Sequence, residues 1–124
     1  MQELVRILMA VNFSQGLNKE NIADKIKAEI EAKLNEENLD KQTKEELENY
    51  LKKWEGNNFD LKKFSYCNLL YLAVKFDCEK LTAVLIESGF DINDGKDSPL
   101  HWAAKWGSLK VAELLLEKGV NVDI

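Results

Sequence analysis

The side chains that could carry out chemistry are few and widely separated in this sequence. The chain has two cysteines, Cys67 and Cys78, and a single histidine, His101. A structural zinc site takes about four ligands, mostly Cys and His, so these residues predict no metal site. No spacing joins a Ser or Cys nucleophile to a general base. We therefore expect no catalytic residues, no cofactor and no metal, and predict that the chain is not an enzyme.

Other signatures of catalysis are also missing from the sequence. It contains no phosphate-binding loop and no nucleotide-binding fingerprint. Adjacent acids such as Glu36-Glu37 and Glu45-Glu46 fall on expected exposed helix ends, where carboxylates are usually solvated. Two isolated thiols in a chain rich in Lys and Glu favour a reducing compartment over a disulfide scaffold. The sequence therefore predicts a cytoplasmic protein.

The charge balance disfavours two classes of partner. The chain has 17 Lys and Arg against 22 Asp and Glu, a net charge of −5, and the excess is negative both in residues 1–60 and in residues 61–124. Nucleic acids and anionic membranes both attract cationic surfaces. The apolar run Leu4–Val11 is far shorter than the roughly 20 residues that a membrane-spanning helix needs. We therefore expect no nucleic-acid binding and no membrane insertion.

Residues 1–60 have the periodicity of amphipathic helices. After the run Leu4–Val11, two longer segments repeat apolar residues every three or four positions. Those positions are Ile22, Ile26, Ile30 and Leu34 in the second segment, and Leu47, Tyr50, Leu51 and Trp54 in the third. Asn18 and Thr43 are the expected N-caps, and Gly56 the expected left-handed end of the third helix. The simplest interpretation is a plain helical hairpin that packs on the second half of the chain.

The second half contains an internal repeat. A shift of thirty residues aligns two copies, each with a short helix, a turn and a second helix that ends in glycine. The aligned pairs include Leu70 with Leu100, Ala73 with Ala103, Lys75 with Lys105, Phe76 with Trp106, Lys80 with Lys110, Leu81 with Val111, Leu85 with Leu115 and Gly89 with Gly119. Because such units bury apolar faces only against their neighbours, the pattern predicts a stack.

The second copy resembles the ankyrin repeat. It reads Ser98-Pro99-Leu100-His101-Trp102-Ala103-Ala104, then Gly107 and a Leu-rich helix that ends at Gly119. This is similar to the family pattern Thr-Pro-Leu-His-x-Ala-Ala, Gly, Leu-rich helix, Gly, with Ser98 as a capping hydroxyl. The first copy is degenerate, since Asn68-Leu69-Leu70-Tyr71 replaces Thr-Pro-Leu-His and Asp77 replaces the glycine between the helices.

The resemblance implies an all-α fold, a solenoid of stacked helix–turn–helix repeats. An N-terminal helical cap would span 1–60, a degenerate repeat 61–93 and an ankyrin repeat 94–124, in one cooperative domain. The spacing from Gly56 to Leu69 places the third helix in the register of an outer helix, with the second as its inner partner. The Leu-rich last helix has no polar replacements of the kind an end repeat needs, so we expect the array to continue beyond residue 124.

The resemblance also implies a concave binding face made by inner helices and finger tips. By register, the inner-helix positions are Lys75, Phe76, Lys105 and Trp106, and the finger positions are Phe64, Ser65, Cys67, Asp94, Gly95 and Asp97. The two aromatic residues would either form a binding hot spot or simply pack on each other or on the cap. His101 is implied to form hydrogen bonds within its turn and to join neighbouring loops, and Trp102 to lie in the core.

These observations support three functional hypotheses. The first is a module that binds a partner protein. The composition, with 16 Lys, one Arg and 11 Asn, suggests an AT-rich genome. By analogy, this module would be a host-directed effector of an intracellular bacterium or virus. The second is self-association, for example as a homodimer, through Leu4–Val11 or through the uncapped Leu-rich end. The third is a catalytic domain that lies outside this sequence.

Overall fold

A computed structural model describes residues 2–64, 69–90 and 98–119, and in this part of the chain the regular secondary structure is all helical, with no β-strand. Its elements are α1 (Gln2–Asn12), α2 (Ile22–Leu34), α3 (Lys41–Gly56), a short 3-10 helix (Leu61–Lys63), α4 (Leu69–Lys75), α5 (Glu79–Glu87), α6 (Pro99–Trp106) and α7 (Leu109–Glu117). The predicted all-α class is therefore confirmed. No helix in these ranges is long and apolar enough to cross a membrane.

The last four helices form two stacked pairs. Helix α4 packs against α5, and α6 against α7, while α4 also contacts α6 and α5 contacts α7. The residues that face the stack are fully or almost fully buried and recur at the thirty-residue spacing. They are Ala73, Leu81 and Leu85 in the first pair, and Ala103, Val111 and Leu115 in the second. This arrangement is the solenoid that the internal repeat predicts.

The turn between the two helices of each pair uses a left-handed residue. Gly107 has φ +68° and Asp77 has φ +56° at the equivalent position. Glycine takes this conformation without steric cost, and Asp and Asn are among the few other residues that tolerate it. Asp77 also does what glycine cannot, because its Oδ1 accepts a hydrogen bond from the backbone N–H of Val111 at 2.9 Å. The substitution thus adds a contact between the two repeats.

A second hydrogen bond of the same kind joins the N-terminal helices to the first repeat. Oδ1 of Asn12, at the end of α1, accepts from the backbone N–H of Leu81 at 2.9 Å. Leu81 and Val111 are equivalent positions in the first turns of α5 and α7. The residues that precede these helices, Cys78 and Ser108, provide no side-chain cap of their own. Each outer helix is therefore capped by a side chain from the preceding unit, which satisfies an otherwise unpaired N–H group.

The N-terminal helices pack in an order that differs from the predicted one. Helix α1 packs against both α2 and α5, and α2 packs against α3. The register of Gly56 predicted α2 and α3 as the pair next to the repeats, but α1 makes the main contact with α5. The reason is that α1 is strongly amphipathic and buries its apolar side, namely Leu4, Ile7, Leu8 and Val11, in the common core.

Three helix ends also differ from the positions that the sequence predicted. Helix α3 begins at Lys41 because the carboxylate of Asp40 accepts from the backbone N–H of Thr43 at 3.1 Å. Hydrogen bonds from the side chain of Thr43 and, to a smaller extent, from its backbone lower the pKa of Asp40. Gly56 is the last helical residue, and the left-handed turn falls on Asn58 and Phe59 instead.

The third difference is at the start of α2. The side chain of Asn18 caps the turn that precedes this helix, accepting from the backbone N–H groups of Glu20 and Asn21 at 2.9 and 3.0 Å. The helix itself starts at Ile22.

Substitutions of Asp77 should separate its two roles. Asp77→Asn keeps both the acceptor and the tolerance of left-handed backbone, so its free energy of unfolding should stay within about 0.5 kcal/mol of the parent. Asp77→Gly keeps the turn but loses the cap and should lower stability by about 1 kcal/mol. Asp77→Ala loses both and should lower it by about 2 kcal/mol. Equilibrium urea unfolding measures all three.

Glu113→Ala is the matched control, because Glu113 is an exposed acid in the middle of α7. It should change stability by less than about 0.5 kcal/mol. If Asp77→Gly is as stable as the parent protein, the carboxylate does not act as a cap for α7.

Candidate partner-binding surface

The inner helices α4 and α6 lie side by side and share one pattern of burial. Each turns its small and apolar residues towards the core, among them Leu70 and Ala73 in α4 and Ala103 in α6. The end of each helix reaches the surface: Lys75, the last residue of α4, and Phe76 after it are half-buried, and Lys105 and Trp106, the last two residues of α6, are exposed. The thirty-residue register makes Lys75 equivalent to Lys105, and Phe76 equivalent to Trp106. The sequence thus places two lysines and two aromatic rings at the same end of two adjacent helices.

The structure brings these four residues together around the ring of Trp106. Nζ of Lys75 lies 4.4 Å from the centroid of Trp106 and 5.4 Å from that of Phe76. Nζ of Lys105 lies 5.2 Å from the centroid of Trp106. Contacts of this type contribute about 0.5–1 kcal/mol each at exposed sites. We call Lys75, Phe76, Lys105 and Trp106 the lysine–aromatic cluster.

The cluster is accessible and positively charged. The side chain of Trp106 is 41% exposed, which is high for such a large apolar residue. Neither α4 nor α6 contains an Asp or a Glu. The ion pairs within the described ranges all lie in the N-terminal part of the chain. Neither Lys75 nor Lys105 therefore forms an ion pair with a carboxylate of the described residues. Among the described residues, the cluster thus presents two cations without an ion-pair partner, on a protein of net negative charge.

A second aromatic contact lies one helical turn away. Tyr71 and Trp102 pack edge to face, with centroids 5.1 Å apart and planes at 86°. Trp102 is half-buried, so the predicted core position is only partly correct. His101 is exposed, its backbone N–H donates to Oγ of Ser98 at 3.4 Å, and its Nδ1 lies 3.3 Å from the same oxygen. The hydrogen bonding within the turn that the resemblance implied for His101 is therefore present.

One predicted finger residue is not part of this surface. Phe64 is only 3% exposed and packs edge to face on Trp54 at 4.9 Å. The cause is local, because the carbonyl of Asp60 accepts from Nε1 of Trp54 at 2.9 Å and its carboxylate caps the 3-10 helix that leads to Phe64. The prediction of Phe64 as a partner-binding residue is thus corrected to a core position. The other finger positions, Ser65, Cys67, Asp94, Gly95 and Asp97, lie outside the described residues.

Among the described residues, the groups that bear on catalysis are the thiol of Cys78 and the side chains that could bind a metal ion. Burial raises the pKa of the Cys78 thiol to about 11, with a smaller contribution from the charge of Asp77. A thiol of this kind stays protonated at neutral pH and is a poor nucleophile. No group of three His, Cys, Asp or Glu side chains within these ranges could hold a metal ion.

Two further apolar surfaces are exposed, of which only the one on the Leu-rich last helix was predicted from the sequence. Phe13, just after α1, is 71% exposed beside an open groove of about 520 Å³ between the α1–α2 loop and α5. Leu109 and Leu116 of α7 are 75% and 53% exposed. Within Leu4–Val11, the residues Leu4, Ile7, Leu8 and Val11 are buried, whereas Met9 is 39% exposed, so most of the apolar side of this segment, which was predicted as a self-association surface, packs in the core.

The reassignment of Phe64 can be tested by its effect on stability. Phe64→Ala should lower the free energy of unfolding by about 3–5 kcal/mol, because a buried ring is removed from contact with Trp54. Chemical denaturation followed by circular dichroism measures the loss. Phe13→Ala removes an exposed ring of the same type and should cost less than about 0.5 kcal/mol. Equal, small effects of the two substitutions would contradict a core role for Phe64.

Comparisons with known proteins agree with the repeat architecture. A family model described as ankyrin repeats, in three copies, matches residues 34–124. The match includes α3, which had been expected in the N-terminal cap, together with α4 to α7. No curated protein and no solved structure gives a significant match. On the basis of the family match, which covers most of the chain, the protein belongs to the ankyrin repeat family.

Proposed function

We propose that the protein binds a partner protein through the lysine–aromatic cluster and has no catalytic activity of its own. Ankyrin repeats are generally protein–protein interaction modules and generally non-catalytic. The proposal rests on one observation: the ammonium groups of Lys75 and Lys105 both lie over the exposed ring of Trp106. Lys75 belongs to the first repeat, whereas Lys105 and Trp106 belong to the second. Aromatic residues and cations on a rigid surface are typical of binding hot spots.

The fold supports this surface by fixing the geometry in advance. Lys75 and Trp106 project from helices whose opposite sides are buried in the same core. A partner that packs on the cluster therefore does not need to order the backbone, and the entropy cost of binding falls. The exposed part of the Trp106 ring is also apolar area that a partner can remove from water. We keep Asp94 and Asp97 as proposed finger contacts on the basis of sequence register alone.

We also propose that the partner is a host protein and that the protein acts in a cytoplasm, its own or that of a host cell. The support is the composition, in which 16 Lys accompany a single Arg and 11 Asn. Such a bias fits an AT-rich genome, and intracellular bacteria and some viruses carry ankyrin proteins that act on host proteins. This step is an analogy drawn from composition and family.

The alternative function is self-association through α7. Leu109 and Leu116 lie two turns apart on this helix, both are more than half exposed, and Ala112 lies between them on the same side. Light scattering after size exclusion distinguishes the two functions. A dimer that dissociates on Leu116→Glu would support self-association, whereas a monomer at high concentration would remove it.

Affinity capture with matched variants tests the main proposal. The double variant Lys105→Ala with Trp106→Ala should lose capture of its partner from lysates by about thirty-fold or more, which corresponds to the roughly 2 kcal/mol of a hot spot. Quantitative mass spectrometry of the captured proteins gives the measurement, and circular dichroism checks the fold.

The control is Leu109→Ala with Lys110→Ala, which removes one apolar residue and one lysine from the exposed side of α7. This variant should capture the partner as the parent protein does. If capture survives the Lys105 and Trp106 changes in a folded protein, the binding site lies elsewhere on the molecule.

A further inference from the structure

We propose that the lysine–aromatic cluster recognises an acidic peptide segment, in which Asp or Glu carboxylates bind Lys75 and Lys105 while a neighbouring apolar side chain packs on Trp106. The inference rests on the proposed function, because it specifies the chemistry of the segment that the same surface binds. It is carried by the charges and distances around one ring.

The first argument comes from desolvation. The ammonium groups of Lys75 and Lys105 lie 4.4 and 5.2 Å from the ring centroid of Trp106. A partner that covers this ring must therefore also remove water from two cations. Burying a charge without a counter-charge is strongly unfavourable. An uncharged apolar partner would meet this penalty twice, whereas a partner that brings carboxylates to the ammonium groups offsets it.

The second argument is that this part of the chain does not supply the counter-charges itself. Helices α4 and α6 contain no acidic residue, and within the described ranges Lys75 and Lys105 contact rings and form no ion pair. Other lysines of the chain do form ion pairs, as Lys33 does with Glu36 at 2.8 Å and Lys41 with Glu45 at 4.0 Å. The cluster therefore presents two cations whose pairing capacity is unused by these helices.

The third argument concerns the spacing of the two charges. The ammonium groups lie 4.4 and 5.2 Å from the same ring centroid, and both distances are shorter than the Debye length of about 8 Å at physiological ionic strength. A carboxylate near Trp106 is therefore attracted by both lysines at once. The rings also hold the lysine side chains in place, so fewer rotamers are lost when the carboxylate binds.

The size of the cluster favours a peptide over a polyanion such as nucleic acid. Two lysines on a protein of net charge −5 are too few for the extended cationic footprint that phosphate backbones require. They match one or two carboxylates beside an apolar residue. Such a spacing is available within a short acidic and apolar segment of a protein.

Nuclear magnetic resonance with a defined peptide tests the inference. The probe is a short peptide of alternating Glu and Leu, titrated into the 15N-labelled protein, and the reference is the same peptide with Gln at every Glu position. The indole N–H signal of Trp106, assigned by its loss in Trp106→Phe, should shift with the Glu peptide, and the shift should weaken as salt is added. The indole signal of Trp54 should not move, because Trp54 is fully buried.

Matched charge variants make the test specific. Lys75→Gln with Lys105→Gln should weaken binding of the Glu peptide by about ten-fold, in the range expected for two exposed ion pairs. Lys80→Gln with Lys110→Gln removes the same charge from equivalent exposed positions on α5 and α7 and should change it by less than about two-fold.

The inference is overturned if the Gln peptide binds as well as the Glu peptide, if the Glu peptide leaves the Trp106 signal unmoved, or if the two double variants weaken binding equally. These outcomes do not decide the proposed function. If capture of a partner still depends on Trp106 while any of them is observed, the cluster binds a partner but does not select it by carboxylates. If capture does not depend on Trp106 either, the proposed function itself fails.

Discussion

The second half of this protein depends on the burial of helices that are too short to be stable alone. Helices α4 to α7 have seven to nine residues each, whereas isolated helices below about 12–15 residues are marginal in water. Their stability therefore comes from stacking, in which α4 packs on α6 and α5 on α7. The N-terminal helices extend the same core, since α1 packs on the side of α5 that faces away from α7. The thirty-residue spacing is what lets these contacts recur in register.

The candidate surface is a product of this stacking and belongs to no single repeat. Lys75 comes from α4 and Trp106 from α6, so their contact exists only when the two inner helices lie side by side. A change that loosens the core between Ala73 and Ala103 would therefore alter the surface without touching it. This coupling gives a surface of a few long side chains a rigid support, which is what the proposed binding requires.

The parts of the structure that sequence predicted well are those set by local chemistry. Ser98, Pro99 and Gly107 each have a preference of their own for the start or end of a helix, and α6 begins and ends as they indicate. Two features escaped prediction for different reasons. The N–H group that Asn12 caps is 69 positions away, and the burial of Phe64 depends on a hydrogen bond of Trp54 that no periodicity reveals. The four residues of the cluster were predicted, but their arrangement around one ring depends on how α4 and α6 pack together.

The caps on α5 and α7 share one sequence order. In both cases the acceptor, Asn12 or Asp77, precedes the helix that it caps, and neither outer helix is capped by a later side chain among the residues described. During synthesis from the N-terminus, each outer helix therefore leaves the ribosome after the side chain that receives its free amide group is already made. The stack can thus form from the N-terminus towards the C-terminus, because each folded unit already contains the side chain that caps the next outer helix. Gly107, which has no side chain at the equivalent position, offers no such acceptor.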